Sequence, residues 1–570
     1  MNLRGDVMKE LYIDIMEKVV EAYTAEHIRR YTAEVEERGL EEHGFPRLTA
    51  NIGILIAHGR KQELREDFLK MMDLCLKEMP TARSRNGRNV GNDFSVKEIV
   101  FCLLETEKTG SFPKEITDGW REELKKINPY LTYSQIAAYP PNNMANWAAF
   151  GAASEQLRKY AGISDENFFI ENQIASQFHA FDENGMYQDP GCPMVYDFVT
   201  RLQLATALHF GFDGEGSDRL TEELIKSADK TLYMQSVTGE IPFGGRSNQF
   251  LHNETFYAAL CEFYAVFFKK RGDMKNAGQF KRAARIAVES ILPWLEAEPI
   301  RHIKNSYPTD SKYGCEEYAY YDKYMVTAGS WLYLAYAMAD DSIEEESCPS
   351  ENENYITETS PAFHMTFLKY GDYFVQLDTP AQTKYDASGI GRIHRKGAPS
   401  AICITVPCSK EPHYGTDTEN PTPLSLCPGM KVDDDFVYAY DEKTVYTLLS
   451  KEVTEEFVKA EYKCENENGL NLLFTCTISA TGVELTAEGA GDVAMLFPML
   501  QFDGKNSPEI TAEDKTASLC YKGWKCSYTT DGIISENGAV CANRNGHYIS
   551  MSAKSKDKVS LKIEIKEKQL

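Results

Sequence analysis

The stretch AMADDSIEEESCPSENENY, residues 337–355, divides the chain into two patterns. On its amino-terminal side apolar residues recur at three-to-four spacing, as in TEELIKSADKTLY from Thr221, where Leu224, Ile225, Ala228 and Leu232 fall on one face. That period is helical. On its carboxy-terminal side apolar and polar residues alternate over short runs: DYFVQLD, SAICITVP, NLLFTCTISATGVELTAEG and KVSLKIEIKEK. A period of two with turn residues between the runs belongs to strands. The expected organisation is a helical domain over 1–345, an acidic linker over 346–360 and an antiparallel β-sandwich over 361–570.

The helical half repeats. Six apolar helices are expected to begin near Leu48, Phe94, Asn146, Val195, Phe250 and Ala319, 46 to 69 residues apart. Each follows a more charged amphipathic segment, at roughly 4–37, 61–79, 113–126, 165–179, 217–236 and 274–297. Two helices per unit at this period make a stacked array, and alternation of buried with exposed helices favours closure into a double-layered ring, an (α/α)6 toroid of six hairpins. In such a ring the apolar helices run the same way, so the loops that precede them meet at one mouth. Those loops read EEHGFPRLTAN, SRNGRNVGNDFSV, YPPNNMANWAAFG, DENGMYQDPGCPMVYDF, TGEIPFGGRSNQFLHNE and SYPTDSKYGCEEYAYYDKY. They are dense in Asn, Tyr, Asp, Glu, Arg and Gly, whereas opposite loops such as RKYAGISDEN look like ordinary turns.

Composition narrows the function. Of 570 residues, 42% are hydrophobic and 26% charged, which is globular. With 61 Lys and Arg against 86 Asp and Glu, the net charge of −25 would repel polyphosphate, so no nucleic-acid partner is expected. The longest uncharged apolar run, about Met325 to Ala339, is shorter than the ~20 residues of a membrane span, so no membrane partner is expected either. Asp6, Glu10 and Asp14 interrupt the region where a secretory signal would be apolar, and the location expected is cytoplasmic. The 14 Cys are scattered without zinc spacing; they read as reduced thiols, with no metal. Walker-type, GxGxxG, GxSxG and EF-hand motifs are absent, and no cofactor is expected. The 32 Tyr exceed the 28 Phe, and a phenol with a flat apolar face and a polar tip suits a sugar.

Several mouth residues carry candidate chemistry. Arg246, just beyond Gly244 and Gly245, offers a planar fork for a carboxylate, with Asn248 beside it. Tyr187, Gln188 and Asp189 lie between two turns. Tyr196, Asp197 and Arg201 share a helix start, although an i,i+4 Asp–Arg pair serves equally as a structural device. Asn146 and Trp147 open the third apolar helix, and Trp147 reads as a stacking platform or as core. His252 and Glu254 open the fifth, and a lone helical His reads as packed or as functional. Around the sixth stand Glu316, Glu317, Tyr321 and Tyr324. Carboxylates, Tyr, Asn and Arg serve two sugar reactions: hydrolysis across a pair of carboxyls, and elimination beside a uronate carboxylate. Arg392, His394, Arg395 and Lys396 form a basic strand-turn that reads as a solvated edge or as a surface facing an acidic sugar.

A helical toroid before a β domain, with the loops DENGMYQDPGCPMVYD, GGRSNQF and YGCEEYAYYDKY, resembles the six-hairpin glycosidases and the heparinase II/III-like lyases. Within that group the chain is most similar to glycoside hydrolase family 154, which implies a β-glucuronidase-like activity on uronic-acid-bearing oligosaccharides. The resemblance implies that Arg246 grips a substrate carboxylate and that Tyr196 or His252 occupies the proton-transfer position of the lyases. On the hydrolytic reading, taken first, the acid/base pair comes from Asp189, Glu240, Glu254, Glu316 or Glu317, with Arg246 and Asn248 holding the substrate. On the eliminating reading Tyr196 or His252 is the base and Asn146 or Arg246 neutralises the carboxylate. Trp147, Tyr187, Gln188, Arg201 and Tyr321 are expected to bind the oligosaccharide in both. A non-catalytic glycan binder is the third reading, and a homo-oligomer stays open.

Overall fold

A computed structural model describes residues 7–81, 91–133, 136 and 139–568. Residues 84–90 of the second mouth loop, and the start of the first expected helix, lie outside the described residues. The helices are α1 (Met8–Glu21), α2 (Ala25–Arg38), α3 (Gly44–Ala57), α4 (Arg65–Glu78), α5 (Asn92–Thr109), α6 (Lys114–Lys125), α7 (Pro129–Thr132) and α8 (Asn146–Tyr160). They continue with α9 (Phe168–Ala175), α10 (Met194–His209), α11 (Ser217–Lys226), α12 (Ala228–Tyr233), α13 (His252–Lys270), α14 (Met274–Leu295), α15 (Tyr321–Met338) and α16 (Pro349–Asn352).

Six of these form an inner ring. Helix α3 packs on α5, α5 on α8, α8 on α10, α10 on α13, α13 on α15, and α15 returns to α3. Their sequences explain the position: in α3 every residue from Gly44 to Ile56 is buried, which an all-round apolar helix requires. The outer helices are one-sided; α11 buries only Leu220 and Leu224. Helices α4, α6, α9, α11 and α14 cover α3, α5, α8, α10 and α13, and α1 covers the α15–α3 seam. The first charged segment splits into α1 and α2, because the Thr24 hydroxyl accepts the His27 N–H at 3.1 Å and starts a new helix. Gly329 closes the ring: a Cβ there would lie 2.4 Å from Asn51 Nδ2, the amide that donates to the Val326 carbonyl at 3.0 Å.

The β part has two antiparallel sheets. The smaller is ordered β1 (Tyr355–Glu358), β2 (Met365–Tyr370), β3 (Tyr373–Asp378), β4 (Gly389–Arg395). The larger has eleven strands and is built around two long ones, Gly482–Phe502 and His547–Glu567, paired to each other. Its strand Phe457–Glu465 buries Val458, Ala460, Tyr462 and Cys464 in strict alternation, as a sheet with one face in water must. The smaller sheet is different. Tyr373, Val375 and Leu377 point into the core shared with the larger sheet, while Phe367 and Phe374 join the core of the toroid. Both faces are covered, so β3 is buried throughout and β2 and β4 are buried at all but their last residues.

Two expectations change here. Residues 346–360 are not a bare linker: they carry α16 and β1. Arg392 and His394 are neither a solvated edge nor a sugar-facing surface. Both are buried, and they fasten the sheet to the toroid: Arg392 Nη1 donates to the Ile241 carbonyl at 2.7 Å, and His394 Nδ1 lies 2.8 Å from Ser236 Oγ. Gln376 adds a 2.7 Å bond to the Phe243 carbonyl. The β domain therefore grips residues 236–243, immediately before Arg246.

Candidate active site

A cavity of about 460 Å³ opens at the mouth of the ring. Each inner helix contributes its first turns: Arg47 from α3, Phe94 from α5, Asn146 and Trp147 from α8, Tyr196 from α10, His252 and Asn253 from α13, Lys323 and Tyr324 from α15. The amino-terminal ends of six helix dipoles thus face one space, and Arg47, Arg246 and Lys323 line it with Glu41 and Glu42. In a chain of net charge −25 this is a local preference for an anion.

Ser247 is the hub. Its φ of 59° is unusual for a residue with a side chain, and four bonds hold it there. Its N–H donates to Glu316 Oε1 at 2.5 Å, and its carbonyl accepts from Asn253 Nδ2 at 3.1 Å. Its hydroxyl lies 3.2 Å from Tyr196 Oη and 2.9 Å from Tyr318 Oη. Glu316 is itself held by Arg544 of the β domain, through Nη2 at 2.5 Å and Nη1 at 3.1 Å.

Arg246 lies over the Tyr196 ring, its guanidinium carbon 4.2 Å from the centroid. It donates to the Pro190 carbonyl at 2.6 Å and to Asp189 Oδ2. Burial opposes its charge, but Tyr196 and Asp189 outweigh burial and raise its pKa. The other oxygen of Asp189 accepts from the Asn146 backbone at 3.1 Å and from its side chain at 2.8 Å. Asp189 is buried beneath these two and orients both; burial pushes its own carboxyl above the ordinary range, against the pull of Arg246 and Asn146.

His252 is buried against Phe250 and Tyr324, with no hydrogen-bond partner for Nδ1. Burial, then Arg47 and His302, push its pKa down to about 3. It is a neutral imidazole at physiological pH. His43 is also held well below its usual value by burial and by Arg47, whose Nη1 lies 3.0 Å from His43 Nδ1.

Of the residues singled out in the sequence, Asn146, Trp147, Tyr196, Arg246, His252 and Tyr324 line the cavity. Asp189 and Glu316 stand behind it as supports. The others do not line it. Glu240 and Glu254 share Lys304, at 3.1 and 2.5 Å, in a buried cluster under the smaller sheet, where Glu240 also accepts from Ser400. Arg201 and Asp197 form a fully buried pair at 2.6 Å, with Arg201 also on Ser227, Thr231 and Tyr264. Tyr187 is buried with its hydroxyl on Gln177, and the Gln188 N–H is spent on the Ala180 carbonyl at 2.7 Å. Asn248 is buried, accepting from Gln249 at 2.8 Å, and Tyr321 donates to the Ile300 carbonyl at 2.9 Å. Glu317 is exposed. Apart from Glu317, each is a polar residue near the mouth whose hydrogen bonds go to other parts of the protein instead of to the cavity.

Arg47, His43, Lys323 and Ser247 were not singled out, although all four lie in the quoted mouth loops. Their signal was position: His43, Arg47 and Lys323 lie one to three residues from the start of an inner helix, and Ser247 lies five before one. Among the described residues no group of three or more His, Cys, Asp or Glu is placed to hold a metal ion, and no helix is long and apolar enough to cross a membrane.

No protein-family model and no curated protein matches the chain. Solved structures do. A mutant of the heparan sulfate lyase HepC from Pedobacter heparinus is similar over 92% of this chain and 76% of its own, at 11% identity and a TM-score of 0.52. The chondroitin AC lyase of Streptomyces coelicolor A3, solved with chondroitin sulphate, covers 96% and 79% at 9% identity and a TM-score of 0.48. A glycosyl hydrolase of family 88 from Bacteroides vulgatus covers 57% and 99% at 10% identity and a TM-score of 0.36. At such identities the first shows a shared fold, the helical toroid followed by antiparallel sheets. None of the three is described as a family 154 hydrolase.

Proposed function

We propose that the chain is a carbohydrate-active lyase that cleaves an acidic oligosaccharide beside a uronate by β-elimination. One observation carries the reading: Tyr196 sits between Ser247 and Arg246 on the wall of a cationic cavity that Asp189, Glu240, Glu254 and Glu316 do not line. The fold is shared with a protein described as a heparan sulfate lyase, which puts elimination first among the chemistries to test.

In this reading the uronate carboxylate lies against Asn146, with Arg47 and Lys323 across the cavity. Asn146 donates to the carboxylate oxygen as negative charge moves onto it, and Asp189 fixes its amide for that task. Tyr196 takes the proton from the carbon next to the carboxylate, and Arg246, held over its ring, fixes the orientation of the phenol. The C–H electron pair passes through the carboxylate and returns as a carbon–carbon double bond as the bond to the leaving sugar oxygen breaks. That oxygen takes a proton from the Tyr196 hydroxyl, so no net proton remains on the enzyme. His252, neutral, packs beside the sugar and offers Nδ1 as an acceptor. Trp147 and Phe94, with ring centroids 4.3 Å apart, form an aromatic wall for a sugar face.

β-Glucuronidase-like hydrolysis needs two carboxyls on opposite sides of the bond. The acids that line the cavity, Glu41 and Glu42, are neighbours on one loop, and Glu42 already accepts from the Gly44 N–H at 2.6 Å and from Tyr31. The test is incubation with heparan sulfate, chondroitin sulfate and unsulfated glucuronate tetrasaccharides, following ultraviolet absorbance and new reducing ends. Elimination gives both; hydrolysis gives reducing ends without absorbance and would overturn the reading. Tyr196→Phe is expected to lower kcat by roughly 10²- to 10⁴-fold with little change in KM. Binding without any turnover across the panel leaves the glycan-binder reading in its place.

A further inference from the structure

A second cavity, about 570 Å³, lies on the flank of the molecule and shares no lining residue with the mouth. It runs between the end of α14 and the β domain, with Trp294 on one side and Tyr521 and Trp524 on the other. A smaller cavity of about 190 Å³ extends it past Trp294 and Lys522 towards Arg301 and Lys505. Two of the five tryptophans of the chain are therefore spent on one groove, each half-exposed. Cations lie on their rings: Lys522 is 5.7 Å from Trp294 and 4.8 Å from Tyr521, and Arg395 is 5.6 Å from Trp524.

The charge of the groove opposes that of the chain. Together the two cavities are lined by six basic residues, Arg282, Lys304, Lys396, Lys522, Arg301 and Lys505, against the acids Glu240, Glu289, Glu351 and Glu298. Two of those acids pair with two of those bases, Glu240 with Lys304 and Glu351 with Arg282 at 2.8 Å, which leaves Lys396, Lys522, Arg301 and Lys505 against Glu289 and Glu298. Lys522 has an acidic neighbour of its own, Asp503, at 3.4 Å. Lys396 is exposed at the rim. The floor supplies an independent sign of a ligand. Asn545 is only 3% exposed; its amide donates to the Lys304 carbonyl at 2.7 Å and to Gln249 at 3.2 Å, while its Oδ1 has no partner. A buried acceptor at the base of a groove calls for a donor from whatever fills the groove.

Half-exposed indoles, basic side chains and an open acceptor fit one chemistry: a sugar chain bearing carboxylate or sulfate. Its ring faces stack on Trp294 and Trp524, its anionic groups meet Lys396 and Lys522, and a hydroxyl donates to Asn545 Oδ1. We propose that this flank groove is a second, non-catalytic binding site for an acidic oligosaccharide. It rests on the substrate class proposed for the mouth but on none of the residues there. Its function would be to hold a long chain whose end is processed at the mouth.

The experiment is titration calorimetry of the whole protein with the same sulfated and unsulfated glucuronate tetrasaccharides, alongside turnover of each. Two sites per chain are expected. Trp524→Ala and, separately, Lys522→Glu should weaken one of them at least tenfold and leave tetrasaccharide turnover unchanged; Lys522 is exposed, so that variant does not depend on core packing. Tyr196→Phe should lower turnover by roughly 10²- to 10⁴-fold and keep the flank site. A single site that Trp524→Ala and Lys522→Glu leave untouched overturns the inference while turnover keeps the lyase reading. Flank binding without turnover does the reverse. Neither binding nor turnover with any of the probes overturns both.

Discussion

Ser247 shows how a site residue is made by its surroundings. A left-handed serine is strained, and here the strain is countered by Glu316, Asn253 and two tyrosine hydroxyls. The support ends in Arg544, 2% exposed, which spans the two domains to Glu316. Arg544 is a positioning residue, and its removal alone leaves Glu316 buried and unpaired, a loss of about 3–5 kcal/mol. The informative variant is therefore Glu316→Gln with Arg544→Met, which removes both charges. It is expected to stay folded with KM within a few fold, while kcat falls 10- to 100-fold; Arg544→Lys alone should recover part of that rate. A double variant with unchanged kcat would show that Ser247 needs no such support. Sequence reading reached Tyr196, Arg246, Asn146, Trp147 and His252 because loop residues at helix starts are few and their chemistry is specific. It did not reach Arg544, since an arginine after a β-hairpin strand carries no sign of its partner 228 residues away. Nor could it separate Glu240 and Glu254 from a catalytic pair, because the lysine that neutralises both lies in another loop.

At the scale of elements the decisive piece is the turn over residues 239–249, clamped by the smaller sheet and its following loop. Gly245 has a φ of 78°, and a Cβ there would lie 2.7 Å from the Pro193 side chain. Its N–H donates to Asp386 Oδ2 at 2.6 Å. Burial, then the neighbouring Asp378, raise the Asp386 carboxyl to about 7, with the Gly245 N–H, Arg544 and His364 opposing. Because the folded-state value is the higher one, the folded protein holds a proton there that the unfolded chain has lost. The contribution is complete below about 3.8 and disappears as pH rises through about 7. Asp386→Asn cannot titrate, so the difference in unfolding free energy between wild type and variant should change by on the order of 2–4 kcal/mol between pH 4 and pH 8. Wild type should lose ground as pH rises, in denaturant titrations at each pH. A difference that is flat, or that runs the other way, removes Asp386 as the titrating group. The six inner helices were legible because a helix buried on both sides is apolar all round, whatever its partners. In the smaller sheet β3 was legible as DYFVQLD, but burial on both faces was not, because at Thr366, Gln376, Arg392 and His394 the buried positions are polar.

For the whole molecule these contacts decide whether the toroid and the β domain are two stable bodies or one. The acidic stretch at 337–355 reads as a boundary, yet the chain on either side of it is cross-bonded. Phe367 and Phe374 belong to the toroid core, and Arg392, His394 and Gln376 bond the backbone or side chains of residues 236–243. Arg544 and Asn545 reach Gly314, Glu316, Lys304 and Asn305 from the other end of the β domain. A toroid separated from the sheets would expose those phenylalanines and leave Glu240 and Glu254 without Arg392 nearby. The expectation is one calorimetric transition for the full chain. Arg392→Ala tests it, since it strips the Ile241 and Thr405 carbonyls of their donor inside the seam. Two buried acceptors at about 1–3 kcal/mol each should lower the whole transition by several degrees without splitting it. Tryptophan fluorescence, with Trp331 in the toroid and Trp524 in the β domain, should move together with the calorimetric signal. Two separated transitions, or an Arg392→Ala effect confined to one of them, would mean that the sheets stand on their own and that the mouth loop is held by the toroid alone.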